Sequence, residues 1–190
     1  MKRVFVALPL TEALKHYLLN LKSECERFFQ DEKWVEPDHW HLTLCFLGSL
    51  PENSLKDACK AIESCARVQK GFPMSLGGVG AFPSLSFPRV VWVGLREGER
   101  SISDSAGRLK SELEKKGFFS EARSFHAHIT LARLHSPLRE PWKSTFQKFA
   151  GEFQASSSVM QVTGCDLMES VLTPKGPRYT LLHRVRFENV

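Results

Sequence analysis

One heptapeptide occurs twice in this chain. His41-Leu42-Thr43-Leu44-Cys45-Phe46-Leu47 returns in the second half as His128-Ile129-Thr130-Leu131-Ala132-Arg133-Leu134. The His, the Thr and two Leu coincide, and the second position is Leu or Ile. A lone H-x-T is commonplace, but two in the same apolar frame are not. Side chains two apart on a β-strand point the same way. His41 and Thr43 therefore share a face, as do His128 and Thr130. Leu42 and Leu44, like Ile129 and Leu131, take the opposite face and anchor it in a core. Two similar halves related by an approximate twofold would bring the four polar side chains together across a groove.

The remaining pattern supplies a frame for those strands. Lys2–Leu8 reads as a strand. Thr11 can cap a following helix, with Leu14, Tyr17, Leu18, Leu21 and Cys25 at helical spacing. Pro51–Val68 and Glu99–Lys116 read as further helices, the second stopped by Gly117. Pro73–Phe82 and Val90–Leu95 are strand-like, and a strand is expected at Ala127–Leu134. A short helix near Trp142–Phe149 and two final strands, near Phe153–Leu167 and Arg178–Phe187, complete the order. With no strict βαβ alternation, the class is α+β with largely antiparallel sheets. No low-complexity linker divides the chain, so residues 1–190 are expected to form a single catalytic domain.

Cleaving a phosphodiester needs a base on one side of phosphorus and an acid on the other. Imidazole titrates near pH ~6.5, so one histidine can serve as base while its twin serves as acid. Twofold placement puts them on opposite sides of the phosphate. Thr43 and Thr130 can donate hydrogen bonds to the non-bridging oxygens, and Arg133 can add a charge-assisted pair. This chemistry requires no metal.

Composition narrows the class further. Hydrophobic residues make up 42% and charged residues 25%, which fits an ordinary soluble globular protein. No apolar run reaches the length of a membrane span. The basic start and the short run Val4–Leu10 lack a signal-peptide cleavage site and read as a strand. Five cysteines without CxxC spacing argue against a disulfide framework or a cysteine zinc site, and favour reduced thiols in the cytoplasm. The net charge of +5 is compatible with an anionic partner and carries little weight alone.

The paired segments His41–Gly48 and Phe125–Arg133 resemble the motifs of the two-histidine phosphoesterases. Within that superfamily the chain is similar to the RNA 2',3'-cyclic phosphodiesterases, formerly called 2'-5' RNA ligases. The resemblance extends to Arg3–Leu8, Gly80–Pro83, Pro88–Gly94 and Leu172–Tyr179, and so covers nearly the whole chain. It implies a bilobal, pseudo-twofold LigT-like fold, with two mainly antiparallel sheets flanking a central cleft and helices outside. It implies hydrolysis of a terminal 2',3'-cyclic phosphate to a 2'-phosphate, in which the 3'-oxygen leaves and water attacks. An RNA 5'-hydroxyl in place of water would give an ATP-independent 2'-5' ligase. By the same resemblance His41 is the acid, His128 the base, and Thr43, Thr130 and Arg133 the phosphate ligands; Phe46 matches a base-stacking position. No cofactor is expected. The expected partners are RNA 3' ends or small cyclic-phosphate nucleotides, with no membrane and no obligatory protein partner, and the chain is expected to be monomeric. Ala127 stands where the family often has proline.

Two readings compete. His39-Trp40-His41 and His126-Ala127-His128 are H-x-H pairs that could hold the ion of a metallohydrolase, although Thr43, Thr130 and Arg133 would then be unexplained. A non-catalytic nucleotide-binding module would have no use for an acid–base pair. Strict alternation also poses a difficulty. It puts Phe46 and Arg133, each five residues after its histidine, on the wrong face, and puts Cys45 on the His41 face. A bulge or strong twist after the threonine is needed to bring Phe46 and Arg133 into the cleft. Trp92 reads as core; Tyr179 and Arg178 read as residues of the cleft floor or as structural.

Overall fold

The computed structural model describes residues 1–29, 32–118, 124–135, 137–153, 158–174 and 176–188. Its strands are β1 (Lys2–Pro9), β2 (Lys33–Trp34), β3 (His41–Leu50), β4 (Phe72–Ser84), β5 (Phe87–Glu97), β6 (Ile129–Arg133), β7 (Val159–Val162), β8 (Gly164–Thr173) and β9 (Gly176–Arg186). Its helices are α1 (Glu12–Glu26), α2 (Leu55–Arg67), α3 (Glu99–Lys115) and α4 (Trp142–Glu152).

Every strand pairing is antiparallel. One half of the sheet runs β7-β4-β5-β6 and the other β3-β1-β8-β9. They join at a seam between the motif strands β3 and β6, where, among the described residues, a single residue pair, Leu42 opposite Ile129, holds the register. One step to either side, that register sets His41 against Thr130 and Thr43 against His128, so the local twofold axis passes through the seam. Beyond it β3 and β6 part, and β2 takes the vacated edge, with Lys33 opposite Arg133 and Trp34 opposite Ala132. The two antiparallel halves thus form one continuous curled sheet.

The helices cover one face of this sheet. Leu14, Leu18, Leu21 and Cys25 of α1, Ala58, Ala61 and Ile62 of α2, and Ile102, Leu109 and Leu113 of α3 enter one core with Val4, Val6 and Leu8 of β1. Burying each large aliphatic side chain contributes roughly 1.5–3 kcal/mol. α3 ends where Gly117 takes φ +80°, a left-handed conformation that suits glycine. Thr11 occupies the N-cap position of α1, but its side chain makes no capping hydrogen bond.

The C-terminal region differs from the sequence reading. A strand near Phe153–Leu167 was expected; instead β7 and β8 split at Thr163, and β8 extends to Thr173. The two serve opposite halves of the sheet, since β7 pairs with β4, and β8 with β1 and β9. Their side-chain pattern is continuous, so only the partners reveal the break. The two-residue β2 was also not foreseen.

Candidate active site

The sheet face away from the helices carries the motif side chains, and two bulges decide which of them reach it. Against β1, β3 pairs Thr43 with Ala7 and Cys45 with Val6, leaving Leu44 surplus. Against β5, β6 pairs Thr130 with Trp92 and Ala132 with Val91, leaving Leu131 surplus. The alternation resets at the same offset in both motifs. Leu44 and Cys45 are both buried, as are Leu131 and Ala132. Phe46 therefore joins the face of His41 and Thr43, and Arg133 that of His128 and Thr130. Simple alternation had placed Cys45 beside His41, but the bulge turns it into the core, because two consecutive residues there face inward.

Each motif histidine is anchored alike. Nδ1 of His41 donates to the carbonyl oxygen of His39 at 2.6 Å, and Nδ1 of His128 to that of His126 at 2.7 Å. A carbonyl can only accept, so Nδ1 carries the proton and the neutral ring presents Nε2 as a lone pair. His41 Nε2 lies 3.1 Å from the Thr43 hydroxyl. His128 Nε2 makes no hydrogen bond among the described residues. The H-x-H spacing thus serves a backbone purpose: the first residue supplies a carbonyl that fixes the tautomer of the second.

Aromatic rings wall both sides. Phe5 and Tyr179 pack on His41 at ring separations of 4.9 and 5.3 Å, and Tyr179 also meets His39 at 4.9 Å. Across the seam, Phe82 lies 5.0 Å from His128, and Trp92 lies 4.7 Å from His126 and 6.2 Å from His128. Trp92, read from sequence as core, is instead half-buried on this face opposite Thr130. Its neighbours Val91 and Val93 are the residues that enter the core. The indole rests on Gly80, where any Cβ would collide with the ring. Alternation within Val91-Trp92-Val93 carried this signal, as did the glycine across from it. Arg178, next to Tyr179 on β9, is exposed on the opposite side of its strand.

Burial first, and then nearby positive charge, holds both imidazoles below their ordinary range. For His41 the charges are those of His39, His128 and Arg133; for His128 they are those of His126 and Arg133. The carbonyl bonds pull the other way. His128 and Arg133, from the second motif, thus act on His41 of the first: the groove gathers residues of both halves. Tyr179 is pushed up by burial, while the charges of Arg133 and Arg3 oppose that rise. Among the described residues no group of three or more His, Cys, Asp or Glu side chains is gathered as a metal site would need. The described helices include none long and apolar enough to cross a membrane.

Known proteins resemble this chain in sequence and fold. The chain is 34% identical over 178 residues to a protein of Archaeoglobus fulgidus named RNA 2',3'-cyclic phosphodiesterase, covering 93% of this chain and 96% of that one. It is 32% identical over 179 residues to a Methanothermobacter thermautotrophicus protein of the same name, covering 94% and 95%. Its fold superposes on Escherichia coli LigT crystallised with 3'-AMP with a TM-score of 0.73, at 27% identity and 99% coverage of both chains. The sequence profile of the LigT-like phosphoesterases matches twice, over residues 8–92 and again over 93–179, with one H-x-T strand in each copy. A profile that fits each half in turn and leaves little of the chain unmatched shows that this protein belongs to the LigT-like phosphoesterase family.

Proposed function

We propose that this protein hydrolyses the terminal 2',3'-cyclic phosphate of RNA to a 2'-phosphate, with His41 and His128 as its acid–base pair. The observation that carries this reading is the matched anchoring of the two imidazoles. Each is fixed in one tautomer by a carbonyl two residues upstream, and each turns Nε2 into the groove from its own half. The relatives' shared name supports RNA ends as the substrate, and the capture of 3'-AMP by E. coli LigT supports a nucleotide in the groove.

The open lone pair of His128 Nε2 suits the base. It takes a proton from water as the water oxygen bonds to phosphorus. His41, protonated on Nε2, gives that proton to the departing 3'-oxygen, so the P–O3' bond breaks and a 3'-hydroxyl forms. Thr43, Thr130 and Arg133 hold the non-bridging oxygens, where charge increases in the transition state. Phe46 offers its exposed ring to the base. The same groups serve transfer to an RNA 5'-hydroxyl in place of water. The two halves act as one bilobal catalytic unit, since each contributes one histidine. The five free thiols suit a reducing, cytoplasmic setting.

The test is turnover of an RNA oligonucleotide ending in 2',3'-cyclic phosphate, in excess EDTA, by wild type, His41→Ala and His128→Ala. A 2'-phosphate product, lost with either substitution, is expected. Activity that survives loss of either histidine, or vanishes with EDTA, overturns the two-histidine reading.

A further inference from the structure

β1 alternates without interruption across one half of the sheet. Val4, Val6 and Leu8 enter the core under the helices, whereas Phe5 and Ala7 are buried on the opposite, groove-lining face. Arg3 belongs to that second face, two residues and about 6.6 Å along the strand from Phe5. The Phe5 ring packs on His41 at 4.9 Å, on Tyr179 at 5.2 Å and on Phe46 at 5.6 Å. Arg3 is therefore the next side chain along the floor that carries the first motif histidine.

Its surroundings leave the guanidinium uncommitted. Arg3 is exposed and enters no ion pair among the described residues. Its partner on β3 is Ser49. On the other side, the β1–β8 register extended by one step sets Ser170 opposite Arg3, and Ser170 in turn pairs with Tyr179 of β9. Arg3, Ser170 and Tyr179 thus form a row across three strands on one face. Asp166, on the same face opposite Ala7, is occupied by Arg184 through two hydrogen bonds of 2.7 Å each. The charges of both Arg133 and Arg3 reach the Tyr179 phenol.

The floor therefore carries Arg133 acting on His41 and Tyr179, then the aromatic patch of Tyr179, Phe5 and Phe46, then Arg3 next along β1 from Phe5. A nucleotide has the matching pattern, with its sugar and base between a phosphate on the 3' side and another on the 5' side. We propose that Arg3, with the hydroxyls of Tyr179 and Ser170, forms a second anion subsite for the phosphodiester one nucleotide 5' of the reacting cyclic phosphate. Substrate selection then rests on two phosphates, and an RNA end is preferred over a free nucleoside cyclic phosphate. This rests on reading the His41–His128 groove as the reacting site.

The test compares kcat/KM for three substrates with the same terminal nucleoside. They are the nucleoside 2',3'-cyclic phosphate, a dinucleotide ending in it, and that dinucleotide with an uncharged methylphosphonate linkage. Wild type should favour the charged dinucleotide over both others by about tenfold or more, the gain of a charge-assisted hydrogen bond. Arg3→Ala should bring that ratio to within about twofold of unity, and Arg3→Lys should restore part of it. Because the readout is a ratio, a general loss of folded enzyme cancels. The subsite is refuted if the charged dinucleotide has no advantage, if the methylphosphonate keeps it, or if Arg3→Ala lowers all three substrates alike. Each of those outcomes leaves the reading of the groove standing. Wild type that turns over none of the three refutes that reading, and the subsite with it.

Discussion

Leu44 and Leu131 each hold the surplus position of a β-bulge three residues past a motif histidine. Both are buried together with the residue that follows. The two halves share this backbone irregularity and use it to present different chemistry, an aromatic ring at Phe46 and a guanidinium at Arg133. The groove is therefore twofold in scaffold but not in chemistry, with an aromatic ring from one motif and a guanidinium from the other.

Phe46 is 37% exposed, so its removal should cost little stability. Losing one base–aromatic stack, about 1–3 kcal/mol, should raise KM of Phe46→Ala roughly five- to 150-fold and leave kcat nearly unchanged. Steady-state kinetics on an oligonucleotide substrate check this. A fall in kcat at constant KM would mean instead that Phe46 positions His41 through the shared Phe5 ring.

The histidines should act as a unit. Each of His41→Ala and His128→Ala should lower kcat by about 10²–10⁴. The double substitution should cost little more than the worse single one, because neither proton transfer assists without the other. Fully additive losses would show that the two residues work in separate steps.

Both imidazoles are held low, chiefly by burial. In the free enzyme the acid must be protonated, so kcat/KM falls as pH rises through its lowered pKa; the base must be neutral, which sets the acidic limb. The kcat/KM window is thus centred below about 6.5. A bound phosphate favours imidazolium and should place the kcat profile at higher pH. Arg133→Gln removes a cation that disfavours both imidazolium forms and should move the kcat/KM limbs upward; a downward shift would contradict its place in the groove. Stability follows with a definite sign. The unfolded chain binds these protons near pH ~6.5 and the folded chain only at lower pH, so wild-type Tm should drop as pH falls from about 6.5. Replacing both histidines by Asn should flatten that part of the drop.

Leu42 is fully buried and supplies half of the residue pair that registers β3 against β6. Leu42→Ala should destabilise by about 2–5 kcal/mol, read by denaturant or thermal unfolding. A loss under about 1 kcal/mol would mean that the seam collapses to fill the space.

Gly80 lies beneath the Trp92 indole. Gly80→Ala should force that ring from its place beside His126 and His128, lowering activity and altering tryptophan fluorescence. An unchanged spectrum with full activity would show that the strands yield and the ring stays.

Much of the groove was legible from local pattern. The repeated His-x-Thr in an apolar frame put two polar pairs on one face, since side-chain direction in a strand follows from backbone geometry alone. The spacing of Leu14, Leu18, Leu21 and Cys25 likewise identified a buried helix face, which the core confirms. The difficulty with Phe46 and Arg133 was visible too: five residues is an odd step, and only an irregularity could bring them round.

What local pattern could not supply was the identity of the neighbours. Whether a strand carries a bulge depends on the register of the strand beside it, and Leu44-Cys45 gives no sign of one without β1. Trp92 is an apolar residue among valines until β4 offers Gly80 beneath it and β6 sets Thr130 at its side. The anchoring of His41 and His128 needs the chain upstream to turn a carbonyl back toward Nδ1. Arg3 and Tyr179, at opposite ends of the sequence, fall in one row because β1, β8 and β9 are neighbours in one sheet. Periodicity along the chain determined which face each residue takes; long-range strand pairing decided what it meets there, because register is a property of two strands and never of one.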